Sequence, residues 1–189
     1  MSFVLWITGL PCSGKTTLAK KIVNRLEKEK IPNVLLDGDE IRSCISADLD
    51  FSHDARDENV RRVAGISKLL LEQGIASIVS VLSPLEKQRN NAYEIIGDKF
   101  NLIYLNTSIE VCEKRDVKGM YKLARENKIK DFTGVGSLFE KPKNFNIEVD
   151  TGCLNISEST NIIIEHMKNN SLIKVNGSKN EKLFKENQK

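Results

Sequence analysis

Phe3-Val4-Leu5-Trp6-Ile7-Thr8-Gly9-Leu10-Pro11-Cys12-Ser13-Gly14-Lys15-Thr16 is the stretch that decides the fold of this 189-residue chain. Its first six residues form an almost unbroken apolar run, as expected of a strand buried on both faces of a parallel sheet. The next eight fit G-x-x-x-x-G-K-[ST] at every fixed position. Leu18, Ile22, Val23 and Leu26 then recur on one helical face, with Lys20, Lys21, Glu27 and Lys28 on the other. Strand, loop and helix in this order are the context in which such a loop cradles a polyphosphate. Gly9 and Gly14 let backbone N–H groups turn inward without a Cβ in the way, and the new helix points its positive end at the same anion. Lys15 is suited to the β- and γ-phosphates, and the Thr16 hydroxyl to Mg²⁺. The stretch reads as a nucleoside-triphosphate site.

Outward from it, Val34-Leu35-Leu36 reads as a second buried strand, ending in Asp37-Gly38-Asp39-Glu40-Ile41-Arg42. Three carboxylates and an arginine at the carboxyl end of a parallel strand lie on the edge where open α/β sheets take ligands, so this acidic turn is a candidate site. Residues 43–55 lack periodicity and read as loop, with Phe51 an isolated aromatic. A helix is expected from Arg56 to Gln73-Gly74, a strand over 75–82 ending at Ser83-Pro84, and a helix over 85–96. Phe100–Leu105 reads as a fourth strand, followed by a helix from Thr107 or Ser108. Arg115–Asp131 carries six basic residues against three acidic ones. Lys118, Lys122 and Arg125 are spaced there to share a helix face, which fits a lid that closes over phosphates. Phe132-Thr133-Gly134 puts a ring and a turn directly after it. A fifth strand over 147–150 and a helix over 157–167 complete the set. The expected architecture is α/β: a doubly wound, mostly parallel five-stranded sheet with helices on both faces.

The totals bound the rest. One α/β domain over 1–170, with a lid over about 115–134, accounts for the length; 171–189 is polar and expected to be an unstructured basic tail. The net charge of +3 belongs to that end, where six lysines from Lys168 onward face only Glu181 and Glu186. The body therefore offers no case for nucleic-acid binding. No apolar run approaches a membrane span, and residues 1–8 lack the basic start of a secretory signal, so a cytoplasmic setting is expected. Cys12, Cys44, Cys112 and Cys153 form no C-x-x-C pair and are expected to be reduced thiols.

Several separated motifs stand out together: Asp37-Gly38-Asp39-Glu40-Ile41-Arg42; Phe51-Ser52 with Arg56, Glu58, Asn59, Val60, Arg61 and Arg62; Ser83-Pro84; Glu110-Val111-Cys112-Glu113 with Arg115, Asp116, Lys118, Gly119, Tyr121 and Lys122; and Phe132-Thr133-Gly134. In this order they closely resemble the adenylylsulfate kinase family. The resemblance implies transfer of the γ-phosphate of Mg-ATP to the 3′-hydroxyl of adenylyl sulfate. It places ATP on Gly9, Leu10, Pro11, Cys12, Ser13, Gly14, Lys15, Thr16 and Thr17, with Arg115 by the adenine. Asp39 matches the carboxylate that takes the 3′-hydroxyl proton, with Asp37 beside it. Arg42, Arg56 and Asn59 match residues holding adenylyl sulfate, while Phe51 and Phe132, the latter with Thr133 and Gly134, match rings that sandwich its base. Lys118 and Lys122 match lid residues near the phosphates. Ser83 matches a serine described as a phosphoserine intermediate, although direct in-line transfer explains the chemistry without it. Ala55, Leu85, Asn106 and Gly136 stand where the family usually has an acidic residue, an aromatic and two aspartates. The alternatives are a 3′-kinase of another nucleotide, such as cytidine diphosphoramidate, and a nucleotide-binding regulator without catalysis. A homodimer is left open.

Overall fold

Residues 2–173 are described by the structure, a computed structural model, and within them strands and helices alternate. The strands are β1 (Val4–Gly9), β2 (Asn33–Asp37), β3 (Ala76–Ser80), β4 (Phe100–Leu105) and β5 (Ile147–Val149). They form one sheet in the order β2-β3-β1-β4-β5, with every pairing parallel. The helices are α1 (Lys15–Lys28), α2 (Gly38–Cys44), α3 (His53–Glu72), α4 (Glu86–Ile96), α5 (Ile109–Arg115), α6 (Met120–Arg125) and α7 (Ile156–Asn169). The apolar run that opens the chain is thus the central strand, and its two-residue period feeds two cores. Phe3, Leu5 and Ile7 pack with Leu18, Ile22, Ile163 and Met167 of α1 and α7. Val4 and Trp6 pack with Ile41, Val60, Val63, Ala92 and Ile96 of α2, α3 and α4. All five side chains of this run, Phe3 just ahead of β1 and four within it, are fully buried, and each contributes about 1.5–3 kcal/mol by leaving water. This double burial fixes the register, so the loops at the strands' carboxyl ends converge on one edge.

Four expectations change. Residues 38–44 form a helix where an acidic turn was expected: the Asp37 side chain caps it by accepting from Asp39 N, Asp39 and Glu40 fill its first turn, and Ile41 is buried beneath it. α3 starts at His53, three residues before the expected Arg56, because Ser52 accepts from Ala55 N as its cap. Lys118 does not share a helix face with Lys122 and Arg125. It lies ahead of α6, whose cap residue Gly119 has φ 67°, and Arg125 is tied to Glu113. Finally, Leu172 and Ile173, expected in the tail, pack on the α1/α7 core, where Ile173 is 4% exposed. The rest of that expected tail, 174–189, lies outside the described residues.

Candidate active site

A cleft of about 1060 Å³ runs along the carboxyl edge of the sheet, and most residues singled out in the sequence line it. At one end is the loop 9–14. A Cβ on Gly9 would stand 2.9 Å from both Leu105 O and Ser13 Oγ, so no larger residue fits there. Gly14 has φ 96°, a conformation open to glycine, and it is the cap residue ahead of α1. Cys12 also takes a left-handed φ of 61°, within the turn closed by Ser13 N donating to Leu10 O at 3.2 Å. Lys15 folds back over the loop, its Nζ donating to Gly9 O (2.9 Å) and Leu10 O (2.7 Å). Burial lowers its ammonium from 10.5 to about 8, against the opposing pull of Cys112, Cys12, Asp37 and Asp39. Thr17 also lines the cleft, whereas Leu10 turns away, against the position of Gly134.

Beside the loop stand the carboxylates of the β2–α2 corner. Asp37 is nearly buried; its Oδ2 accepts from the Thr16 hydroxyl at 2.7 Å, and Thr16 lies 3.3 Å from Ser80 Oγ. Two hydroxyls and a carboxylate therefore meet just below the phosphate loop. Asp39 is exposed and forms an ion pair with Lys118, whose ammonium is raised by that carboxylate.

The other end of the cleft is cationic and aromatic. The Arg42 guanidinium stacks over the Phe51 ring at 4.6 Å and donates to Asp50 O at 2.8 Å. Arg56 reaches across the cleft mouth, donating to Phe51 O (2.9 Å), Thr133 Oγ1 (3.2 Å) and Asp131 O (2.8 Å). Burial first, and then the neighbouring Arg56 charge, lower the pKa of Arg42, so two cations face one space. Asn59 is 6% exposed, and its Oδ1 has no hydrogen-bond partner. Phe51 is 71% exposed, while Phe132 is half-buried and meets Tyr121 edge-on with ring centroids 4.9 Å apart.

Ser83 lies at the cleft wall, but its hydroxyl is already committed. It accepts from Trp6 Nε1 at 3.0 Å and donates to Thr8 Oγ1 at 3.2 Å, in a residue 2% exposed. Lys122 is exposed and does not line the cleft; its backbone N–H donates to Asp116 Oδ2 at 3.0 Å. Arg115, at the end of α5, donates to Cys12 O (3.5 Å) and to the Thr151 hydroxyl (3.3 Å). Thr151, Leu154, Asn155 and Ile156 line this part of the cleft and were not foreseen. The available signal was their position directly after β5, on the same ligand-bearing edge as the phosphate loop. Ala55 is buried in α3, and neither it, Leu85, Asn106 nor Gly136 lines the cleft.

One cleft is thus lined by a phosphate loop, by rings and guanidinium groups, and by the Asp39 carboxylate. Comparison with known proteins agrees with this layout. The sequence profile of the adenylylsulphate kinases matches residues 1–150. The chain belongs to the adenylylsulphate kinase family. It is 42% identical to the adenylyl-sulfate kinase of Clostridium acetobutylicum over 90% of this chain and 85% of that protein. With the adenylyl-sulfate kinase of Bacteroides thetaiotaomicron it shares 44% identity over 87% of this chain and 82% of that one. Its fold superposes with TM-score 0.85 on the Mycobacterium tuberculosis APS kinase solved in complex with AMPPNP and APS. That match has 34% identity and covers 88% of this chain and 98% of that one. The family kinship accounts for the parallel five-stranded sheet and the phosphate loop together.

Proposed function

We propose that this chain transfers the γ-phosphate of ATP to the 3′-hydroxyl of adenylyl sulfate, giving 3′-phosphoadenylyl sulfate and ADP. The carrying observation is that Lys15 and its loop, Asp39, and Arg42, Arg56, Phe51 and Phe132 all line one cleft. In this reading the triphosphate lies on the 9–17 backbone, with Lys15 released from Gly9 O and Leu10 O onto the β- and γ-oxygens. Arg115 and the Thr151–Ile156 turn flank the donor base. Adenylyl sulfate lies between Phe51 and Phe132, with Arg42 and Arg56 on its phosphosulfate and the unpartnered Asn59 Oδ1 free to accept from it. Asp39, freed from Lys118, accepts the 3′-hydroxyl proton as the oxygen–phosphorus bond forms and the β–γ bridge bond breaks toward ADP. Lys118, once freed, turns toward the phosphates; the placement of Lys122 supports no such part for it. The committed hydroxyl of Ser83 supports direct transfer without a phosphoserine.

The oxygens of Thr16, Asp37 and Ser80 fit Mg²⁺, a hard cation that keeps water and phosphate ligands and needs few from protein. Among the described residues no cluster of three or more His, Cys, Asp or Glu side chains exists to cage a metal, in keeping with an ion that arrives with ATP. When bound there, Mg²⁺ supplies charge neutralisation at the β- and γ-oxygens.

The family departures at Ala55 and Leu85 lie off the cleft, which favours adenylyl sulfate over a cytidine diphosphate derivative as acceptor. A coupled ADP-release assay with each acceptor tests the proposal. Turnover with the cytidine compound and none with adenylyl sulfate would overturn it; ATP binding with no turnover on any acceptor would favour a regulator.

A further inference from the structure

Each carbonyl of the phosphate loop from Pro11 to Ser13 is held by a donor from outside the loop. Tyr121 Oη donates to Pro11 O at 3.1 Å, Arg115 Nη1 to Cys12 O at 3.5 Å, and Thr151 Oγ1 to Ser13 O at 2.6 Å. The last is the shortest, and its donor is fully engaged. The Thr151 hydroxyl has one proton, which Ser13 O takes. Its lone pairs accept from Thr107 Oγ1 at 2.7 Å and from Arg115 Nη1 at 3.3 Å. Thr107 is 4% exposed and Thr151 9%, so water does not substitute readily at this joint.

The direction of a carbonyl decides the direction of the next N–H. The peptide bonds here are trans, and in a trans planar peptide the C=O and the following N–H point opposite ways. A Ser13 carbonyl drawn toward Thr151 therefore turns the N–H of cleft-lining Gly14 away from Thr151. That N–H makes no hydrogen bond among the described residues, and Gly14, at φ 96°, has the backbone freedom to swing if the carbonyl is let go. We propose that Thr151 is a positioning residue of the donor site: its hydroxyl fixes the Ser13–Gly14 peptide so that the Gly14 N–H is aimed at the ATP phosphates before ATP arrives. Thr151 lies one residue beyond the stretch matched by the family profile. The inference rests on the ATP-kinase reading for its ligand, but not on the identity of the acceptor.

The test is binding of AMPPNP with Mg²⁺, without acceptor, to the wild type, Thr151→Val and Thr151→Ser, with Tm recorded for each. Valine keeps the shape and removes the donor; serine restores the donor without the methyl group. The dissociation constant is expected to rise on the order of tenfold in Thr151→Val and to return to within about threefold of wild type in Thr151→Ser. Adenylyl sulfate affinity should stay within about twofold in both, a split that a general loss of packing would not give. Should Thr151→Val fail to fold, Thr151→Cys, a small side chain with only a weak donor, takes its place with the same expectation. Unchanged AMPPNP affinity in the donor-less variant overturns the inference, as does a loss that serine does not recover. A wild type that binds AMPPNP but leaves adenylyl sulfate unphosphorylated would sink the acceptor assignment alone, and the ratio of AMPPNP constants would still decide the role of Thr151.

Discussion

The two ends of the cleft are built on opposite plans. At the phosphate loop most polar groups already have partners, Ser13 Oγ and the Gly14 N–H excepted: Lys15 sits on two carbonyls, Thr16 on Asp37, and Tyr121, Arg115 and Thr151 each hold a loop carbonyl. At the aromatic end Phe51 stands 71% exposed, Asn59 Oδ1 has no partner, and the nearby Asp39 is occupied by Lys118. Under the proposed function, the difference teaches that the phosphate-loop end is organised before ligand arrives, whereas the aromatic end is completed by its ligand. Preorganised donors act through charge that is already aimed, so losing one costs rate as well as nucleotide affinity; an unfinished pocket acts through contact, so losing a wall costs affinity alone.

The largest expected effect is at the finished end. Lys15→Ala should lower kcat by on the order of 10³ or more, because no other side chain of the loop places a cation at the β- and γ-phosphates. Steady-state turnover near wild type in that variant would break the comparison at once. Asp39→Asn comes next, with kcat down by about 10²–10⁴ and AMPPNP affinity kept, since the side chain acts on a proton and not on the donor. If only KM changed, Asp39 would belong to binding.

The two rings sharpen the contrast within the unfinished end. Each is expected to weaken adenylyl sulfate binding by about 1–3 kcal/mol when replaced by alanine, the usual worth of a ring stacked on a base. Their cost to the fold should differ. Phe132 packs edge-on against buried Tyr121, so Phe132→Ala should also lower Tm, while the solvent-exposed Phe51 leaves stability unchanged. Calorimetry for affinity and thermal unfolding for stability separate the two. Normal acceptor binding in both variants would mean that neither ring touches the base.

How much of this was legible in the sequence follows the same divide. The 3–16 stretch carries its structure locally: an apolar run, two glycines with distinct backbone demands, and an amphipathic helix. Reading it in order therefore gives the central strand, the loop and Lys15 directly. The acidic corner was legible as chemistry but misread as a turn, because the cap that makes 38–44 helical is an aspartate also serving Thr16. The resemblance brought Arg42, Arg56, Phe51 and Phe132 to one place, as the structure does, although no spacing along the chain shows it. Thr151 was missed because it contacts Ser13 across 138 residues, and a lone threonine after a three-residue strand carries no pattern. Ile173 was assigned to the tail because 171–189 as a whole is rich in Asn, Lys, Glu and Ser; its burial depends on α7 turning it back onto Met167.

The smallest expected effect is one of pH, and it probes the finished end without a mutation. In the free protein burial holds the Lys15 ammonium at about 8, well under its ordinary 10.5. Bound phosphates favour the charged form, so the pKa of Lys15 in the ATP complex lies above 8 and the complex binds more protons than the free enzyme. Below pH 8 Lys15 is charged in both states and ATP affinity is flat. Above it, binding must take up a proton, and the dissociation constant should rise by up to about tenfold per pH unit until the pKa of the complex is passed. Folding runs the other way. A lysine whose folded pKa is depressed below its unfolded value contributes stability that is present above about 10.5 and is lost as pH falls through about 8, so the ligand-free fold gains from this group as pH rises across that window. Opposite slopes for AMPPNP affinity and ligand-free stability between pH 8 and 10 are therefore the signature. Titration calorimetry at pH 8.5 in two buffers of different ionisation enthalpy should register proton uptake on AMPPNP binding, and Lys15→Met should abolish it. A dissociation constant that stays flat through that range would mean that Lys15 is solvated before ATP arrives, and the phosphate loop would then be as unfinished as the aromatic end.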